Sequence, residues 1–122
     1  TLALTVHDLE KSPIDPGRLS AGERQLLATS ILWGLAKASG RALPVVIDTP
    51  LGRLDGSHRR RLVEHYFPNA SHQVILLSTD EEIDKTYYQK LQPCIASEYE
   101  IFFDESRGGS SIRSGYPFEE AA

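Results

Sequence analysis

The sequence predicts an α/β fold: a short, mostly parallel sheet with flanking helices and a terminal β-hairpin. Two runs carry that expectation. Leu43-Pro44-Val45-Val46-Ile47-Asp48 and Gln73-Val74-Ile75-Leu76-Leu77-Ser78 are near-continuous apolar stretches, which read as strands buried on both faces, as in parallel sheets. Helical patterns alternate with these runs, the order that α/β layering requires.

Taken from the N-terminus, residues 1–6 alternate weakly and suit a strand. Residues 7–18, with Asp8, Pro13, Asp15, Pro16 and Gly17, read as a turn-rich connection. Ser20-Ala21-Gly22-Glu23 has capping-box spacing, with a Ser hydroxyl for the N–H three residues on and a Glu to reach back. It predicts a helix over roughly 21–38, with Leu27, Ile31 and Leu35 on one stripe, Leu26 and Trp33 widening it, and Gly40 as its stop. Trp33 is expected to anchor that helix on the sheet.

After the first strand, Pro50 and Gly52 break the chain, and Ser57 is the expected cap of a helix to about Phe67, stopped by Pro68 and Asn69. Thr79 or Asp80 is the expected cap of the next helix, with Ile83, Tyr87 and Leu91 on its stripe and Pro93 at its end. Tyr99 to Asp104 and Ser111 to Arg113 read as two strands joined by the turn Arg107-Gly108-Gly109-Ser110, and 115–122 as a loose tail.

Composition narrows the function classes. A chain of 122 residues with 40% apolar and 25% charged residues holds one domain with a modest core and is not a disordered chain. The balance of 13 Lys+Arg against 17 Asp+Glu, net −4, excludes a uniformly basic nucleic-acid binder. The longest uncharged, mainly apolar stretch, Gln25 to Ala36, is too short to span a bilayer, so no membrane partner is expected. A lone Cys94, expected to be packed, cannot form an internal disulfide, and a reducing, cytoplasmic setting is the expectation. With no Met, and an apolar run opening directly at Thr1, the chain is expected to be a piece of a longer polypeptide.

Several residues suggest chemistry. Asp48 at a strand end can hold Mg²⁺; the commoner role for such a residue is an ordinary turn or helix-capping carboxylate. The first turn of the helix at Ser20–Glu23 can present unpaired N–H groups to an anion, with Gly22 allowing close approach; simple capping is the plain alternative. His58-Arg59-Arg60-Arg61 reads as a solvated basic cluster, with DNA phosphate contact as the lesser reading. His7, His58, His65 and His72 show no metal-ligand spacing with Cys94.

Together these segments carry a resemblance. Leu19-Ser20-Ala21-Gly22-Glu23-Arg24 is similar to the LSGGQ/E signature of ABC-type ATPases, and Val45-Val46-Ile47-Asp48-Thr49-Pro50 resembles their Walker B strand. Leu54-Asp55 matches the D-loop, and Ile75-Leu76-Leu77-Ser78-Thr79-Asp80 falls where the switch-histidine strand belongs. The likeness covers residues 1–105, the C-terminal lobe of a P-loop ATPase head, with 106–122 as a hairpin strand and tail. The strings Ser-Ala-Gly-Glu-Arg-Gln and Asp-Thr-Pro-Leu-Gly-Arg-Leu-Asp look like the SMC-like heads, most nearly those of DNA phosphorothioation systems.

The resemblance implies a half-site. Two heads would sandwich two ATP molecules with Mg²⁺. Asp48 would serve the metal of its own subunit's ATP. Ser20, Ala21, Gly22 and Glu23 would face the γ-phosphate held by a second copy, and Asp55 would cross the dimer interface. The implied partners are that second copy, the chain's own N-terminal lobe carrying the phosphate loop, and other DNA sulfur-modification proteins, with DNA itself contacted indirectly or weakly. The lobe alone is expected to bind ATP poorly.

The sequence departs from the family pattern in having no G-x-x-x-x-G-K-[ST] loop, in Thr49 where many relatives carry a catalytic Glu, and in Thr79 at the switch position. Threonine can orient a water but is no general base near neutral pH, so slow turnover is expected. Asp80 or Glu81 is a substitute base or a helix cap. Two rival readings stay open: an SMC-like DNA-repair ATPase beside a nuclease, and a non-catalytic, ATP-dependent dimerisation clamp.

Overall fold

A computed structural model describes residues 5–116 and Phe118. Among them the chain is a small α/β unit with three α-helices and three two-stranded sheets. The strands β1 (Val6–His7) and β2 (Pro13–Ile14) form a minimal antiparallel pair. Only Val6 of the expected first strand is in β1; residues 1–4 lie outside the described residues. The turn-rich segment thus contains a short strand of its own, made possible because Asp8 Oδ1 accepts from the N–H groups of Glu10 and Ser12 and turns the chain back.

Helix α1 (Ala21–Ser39) starts where the capping box places it. Ser20 Oγ accepts from the N–H of Glu23 at 3.2 Å, and Glu23 Oε2 accepts from the N–H of Ser20 at 2.7 Å. It ends at Gly40, which takes the left-handed conformation (φ 64°) that a C-terminal cap needs. The expected stripe is only partly covered: Leu27 and Ile31 are half-buried, whereas Leu35 is 61% exposed. Trp33, expected to anchor the helix on the sheet, instead meets Tyr66 of the helical segment 62–66 edge-on, with ring centroids 5.1 Å apart.

The parallel pair β3 (Val45–Asp48) and β4 (Val74–Leu77) lies in register Val45↔Val74 through Asp48↔Leu77. It is the single parallel ladder among the described residues, so "mostly parallel" is corrected: the other two pairs are antiparallel. The two-faced burial is corrected as well. Ile47, Val74 and Leu76 pack on the core, while Val46 (60% exposed), Ile75 and Leu77 face outward with Asp48. A continuous apolar run conceals which alternate residues are covered.

The inward face meets a core of Leu51, Val63, Tyr66, Phe67, Ala70, Ile83, Tyr88 and Leu91. Val63, Tyr66 and Phe67 come from the segment opened by α2 (Gly56–Arg61), which continues as a π-helical turn over Leu62–Tyr66 and a 3₁₀ turn over Phe67–Asn69. Its cap is Asp55 and not Ser57: the Asp55 carboxylate accepts from the N–H groups of both Ser57 and His58. Likewise α3 (Lys85–Leu91) is capped by Asp84, whose Oδ1 accepts from Tyr87 N–H. Neither Thr79 nor Asp80 caps a helix; Thr79 closes a turn that leads to Ile83.

The hairpin falls where expected, β5 (Tyr99–Asp104) pairing with β6 (Gly109–Ser114) around Gly108 at φ 63°. One face carries the Glu100–Arg113 ion pair, with Arg113 over the Phe102 ring. The other exposes Tyr99, Ile101, Phe103 and Ile112. The loose-tail expectation is overturned at two positions: Tyr116 stacks on Tyr88 at 4.8 Å and donates to Ile83 O at 3.0 Å, and Phe118 packs on the core. Pro117 and residues 119–122 of that expected tail lie outside the described residues. Cys94, expected to be packed, is an exposed free thiol.

Candidate functional site

Parallel pairing places the carboxyl ends of β3 and β4 side by side, the edge of an α/β sheet where ligands bind. Asp48 is directly opposite Leu77. One further ladder bond follows, from Thr49 N–H to Leu77 O at 3.0 Å, so the chain leaving β3 and the turn leaving β4 are held together. Between them opens a shallow cleft of about 510 Å³, with Asp48, Thr49 and Gly52 on one side, Leu77, Ser78, Thr79, Glu81 and Glu82 on the other, and Arg59 also in its lining. Three of the residues singled out in the sequence, Asp48, Thr49 and Thr79, therefore share one cleft.

The loop from Thr49 to Asp55 has an unusual backbone. Thr49 (φ 53°) and Arg53 (φ 62°) are left-handed without being glycine, a conformation that costs on the order of 1–3 kcal/mol for such residues. The surroundings hold it. Pro50 and Leu51 are fully buried, Thr49 O accepts from Gly52 N–H and from the Gln25 side chain, and the Glu82 carboxylate accepts from Leu51 N–H. The N–H of Glu82 in turn donates to Thr79 Oγ1 at 3.2 Å. Glu82 thus couples the loop after Asp48 to the turn bearing Thr79.

The cleft brings the Asp48, Glu81 and Glu82 carboxylates together with the Thr49 and Thr79 hydroxyls and the Arg59 guanidinium. Asp48 is exposed, and its Oδ1 accepts from Thr49 Oγ1 at 3.3 Å. Among the described residues no group of three or more His, Cys, Asp or Glu side chains could hold a metal ion. A single carboxylate still fits Mg²⁺, which is commonly held by one or two carboxylates together with substrate phosphates. Glu81 lines the cleft, and the helix cap offered as its alternative role belongs to Asp84.

The remaining predicted residues lie on the other side of the same loop. Gly22, in the first turn of α1, is packed so tightly that a Cβ there would sit 2.5 Å from Arg53 O and 3.4 Å from Leu54 Cδ2. The glycine therefore serves close packing within the chain. Ser20 and Glu23 satisfy one another, which leaves the N–H groups of Ala21 and Gly22 without an acceptor among the described residues. Asp55 holds Ser57, His58 N–H and, at 2.7 Å, His58 Nδ1. No protein-family model matches the chain, and no curated protein matches it.

These caps set an acid dependence. Hydrogen bonds from His58 and Ser57 hold the Asp55 carboxyl far below its ordinary value of 3.8. A depressed carboxylate adds stability that is complete above the ordinary value and disappears as pH falls through the folded-state value. Asp55→Asn keeps the cap oxygen and loses the charge. In urea titrations the wild-type advantage over Asp55→Asn is expected to be constant above about pH 5 and to shrink steadily towards about pH 2. An advantage that grew on acidification would reverse the assignment.

Arg59, Glu82 and Gln25 were not legible as site residues in the sequence. Arg59 was hidden in the basic cluster, of which only Arg60 and Arg61 are exposed as expected. For Glu82 the sole signal was its position after Thr79-Asp80-Glu81, shared by any acidic turn.

Proposed function

We propose that the chain is the C-terminal lobe of an ABC/SMC-like ATPase head, and that it works as half of an ATP site completed by a second copy. Within that class we place it with DndD, the ATPase of DNA phosphorothioation. The observation that carries the reading is the loop 49–55: one end forms the cleft with Asp48, Thr49 and Thr79, and the other seats the Ser20–Glu23 turn. The uncovered outward face of β3 and β4, with Val46, Ile75 and Leu77 exposed, supports a further layer, the lobe that carries the phosphate loop.

In this reading Mg²⁺ would neutralise charge on the terminal phosphates. Asp48 would hold that cation, and the Thr49 and Thr79 hydroxyls would orient water and phosphate oxygens without removing a proton. Glu81 is the carboxylate in the cleft open to accept that proton. Turnover is accordingly slow, and the ATP-bound closed dimer is long-lived.

Sedimentation of the intact ATPase with and without a non-hydrolysable ATP analogue tests the reading. The analogue should convert monomer to dimer, ADP should not, and Ser20→Arg should block the conversion by filling the turn that meets the partner's nucleotide. Heads that stay monomeric at saturating analogue would overturn it. A dimer with no hydrolysis at all would replace the enzyme by an ATP-dependent clamp, and a dimer from a host whose DNA lacks sulfur would remove the DndD placement.

A further inference from the structure

Arg59 is a cation held in place with no anion to hold. Its Nε donates to Leu54 O at 2.8 Å, which folds the half-buried side chain back over the loop and into the wall of the cleft beside Asp48, Thr49 and Thr79. His58, Lys90, Arg107 and Arg113 are within ion-pair distance of a carboxylate, whereas most of the other described Lys and Arg side chains, Arg59 among them, are not; what sets Arg59 apart is its place in the cleft wall. Arg59 makes no ion pair among the described residues, although Asp48, Glu81 and Glu82 line the same cleft. Glu82 is occupied by Leu51 N–H. Anchoring a guanidinium through Nε leaves its Nη donors as a fork, the geometry that suits phosphate oxygens.

We propose that Arg59 is a phosphate-contacting residue, whose Nη groups take oxygens of the terminal phosphoryl group of a nucleotide in this cleft and supply there the positive charge that Thr79 cannot. This rests on the ATPase reading above. It makes the site sensitive to the γ-phosphate through a residue of the same chain, fixed to the loop that runs on to Asp55. Arg59 then links occupancy of the cleft to the position of the dimer-facing loop.

The test is equilibrium binding of ATP and of ADP, each with Mg²⁺, to the intact ATPase and its Arg59→Gln and Arg59→Lys variants, with thermal unfolding of each protein. Removing a charge-assisted phosphate contact should weaken ATP by roughly ten- to a hundredfold and leave ADP within about twofold, with the unfolding midpoint lowered only slightly by loss of the bond to Leu54 O. Lysine should recover part of the loss, because it keeps the charge without the fork. Equal losses for ATP and ADP with a much lowered midpoint would make Arg59 a structural strut and overturn the proposal. So would an unchanged ATP affinity in Arg59→Gln. A wild-type protein that binds neither nucleotide would overturn the ATPase reading itself.

Discussion

On the proposed ATPase reading, Asp48→Ala in the full-length protein should lower ATP turnover by about a hundred- to a thousandfold, the loss expected when a cation at a transferring phosphoryl group is no longer held. Stability should barely move. Asp48 is exposed at the end of β3, and the hydrogen bond it receives comes from its neighbour Thr49, so removal leaves no buried partner stranded. Single-turnover hydrolysis and thermal unfolding, measured on the same preparation, separate the two effects. Turnover that survives in Asp48→Ala would place the metal elsewhere. Equal loss of turnover and stability would mean that Asp48 holds the loop and not a cation.

The contrast with Thr49 sharpens this expectation. Its hydroxyl donates to Asp48 Oδ1 and its backbone is left-handed, a conformation that is particularly unfavourable for a β-branched residue. The loop is fixed from behind by buried Leu51 and by Glu82. The backbone conformation at 49 thus settles where the next side chains go, and with them the position of Asp55.

Local rules were legible in the sequence, and long-range closure was not. The capping box at Ser20 and Glu23, the Gly40 stop and the two strand cores depend on spacings of a few residues, and all are present. The expected Ser57 cap of α2 is replaced by Asp55: both are good cap residues, and it is the Asp55 carboxylate that takes the N–H groups of Ser57 and His58. The half-exposed face of β3 and β4 was unreadable because Val46, Ile75 and Leu77 are as apolar as their buried neighbours.

The candidate site divides in the same way. Asp48 and Thr79 could be paired from the sequence because parallel neighbours end at the same edge. Arg59 could not, since its place depends on a single bond to Leu54 O that returns the side chain over the loop. Tyr116 shows the same limit: in a Gly- and Ser-rich context it looked like tail, yet stacking on Tyr88 and a bond to Ile83 O tie it to the fold.

Gly22→Ala is the substitution expected to cost most in stability, and it separates two meanings of that glycine. Its new Cβ would lie 2.5 Å from Arg53 O, a backbone atom that cannot rotate away. Relieving the overlap should cost about 1–3 kcal/mol, partly offset by the better helix propensity of alanine, about 1 kcal/mol at most. Gly34 supplies the control: it lies in the same helix with nothing within 4 Å of its Cβ direction, so Gly34→Ala should stabilise by about 0.5–1 kcal/mol. Opposite signs in urea unfolding would show that Gly22 is there to let α1 touch the loop. Because Arg53 leads directly to Asp55, on the proposed reading the same change should displace the residues assigned to the second copy and weaken ATP-driven association, and Gly34→Ala should not. If both variants gained stability while association alone failed in Gly22→Ala, the glycine would be kept for the nucleotide and not for the packing.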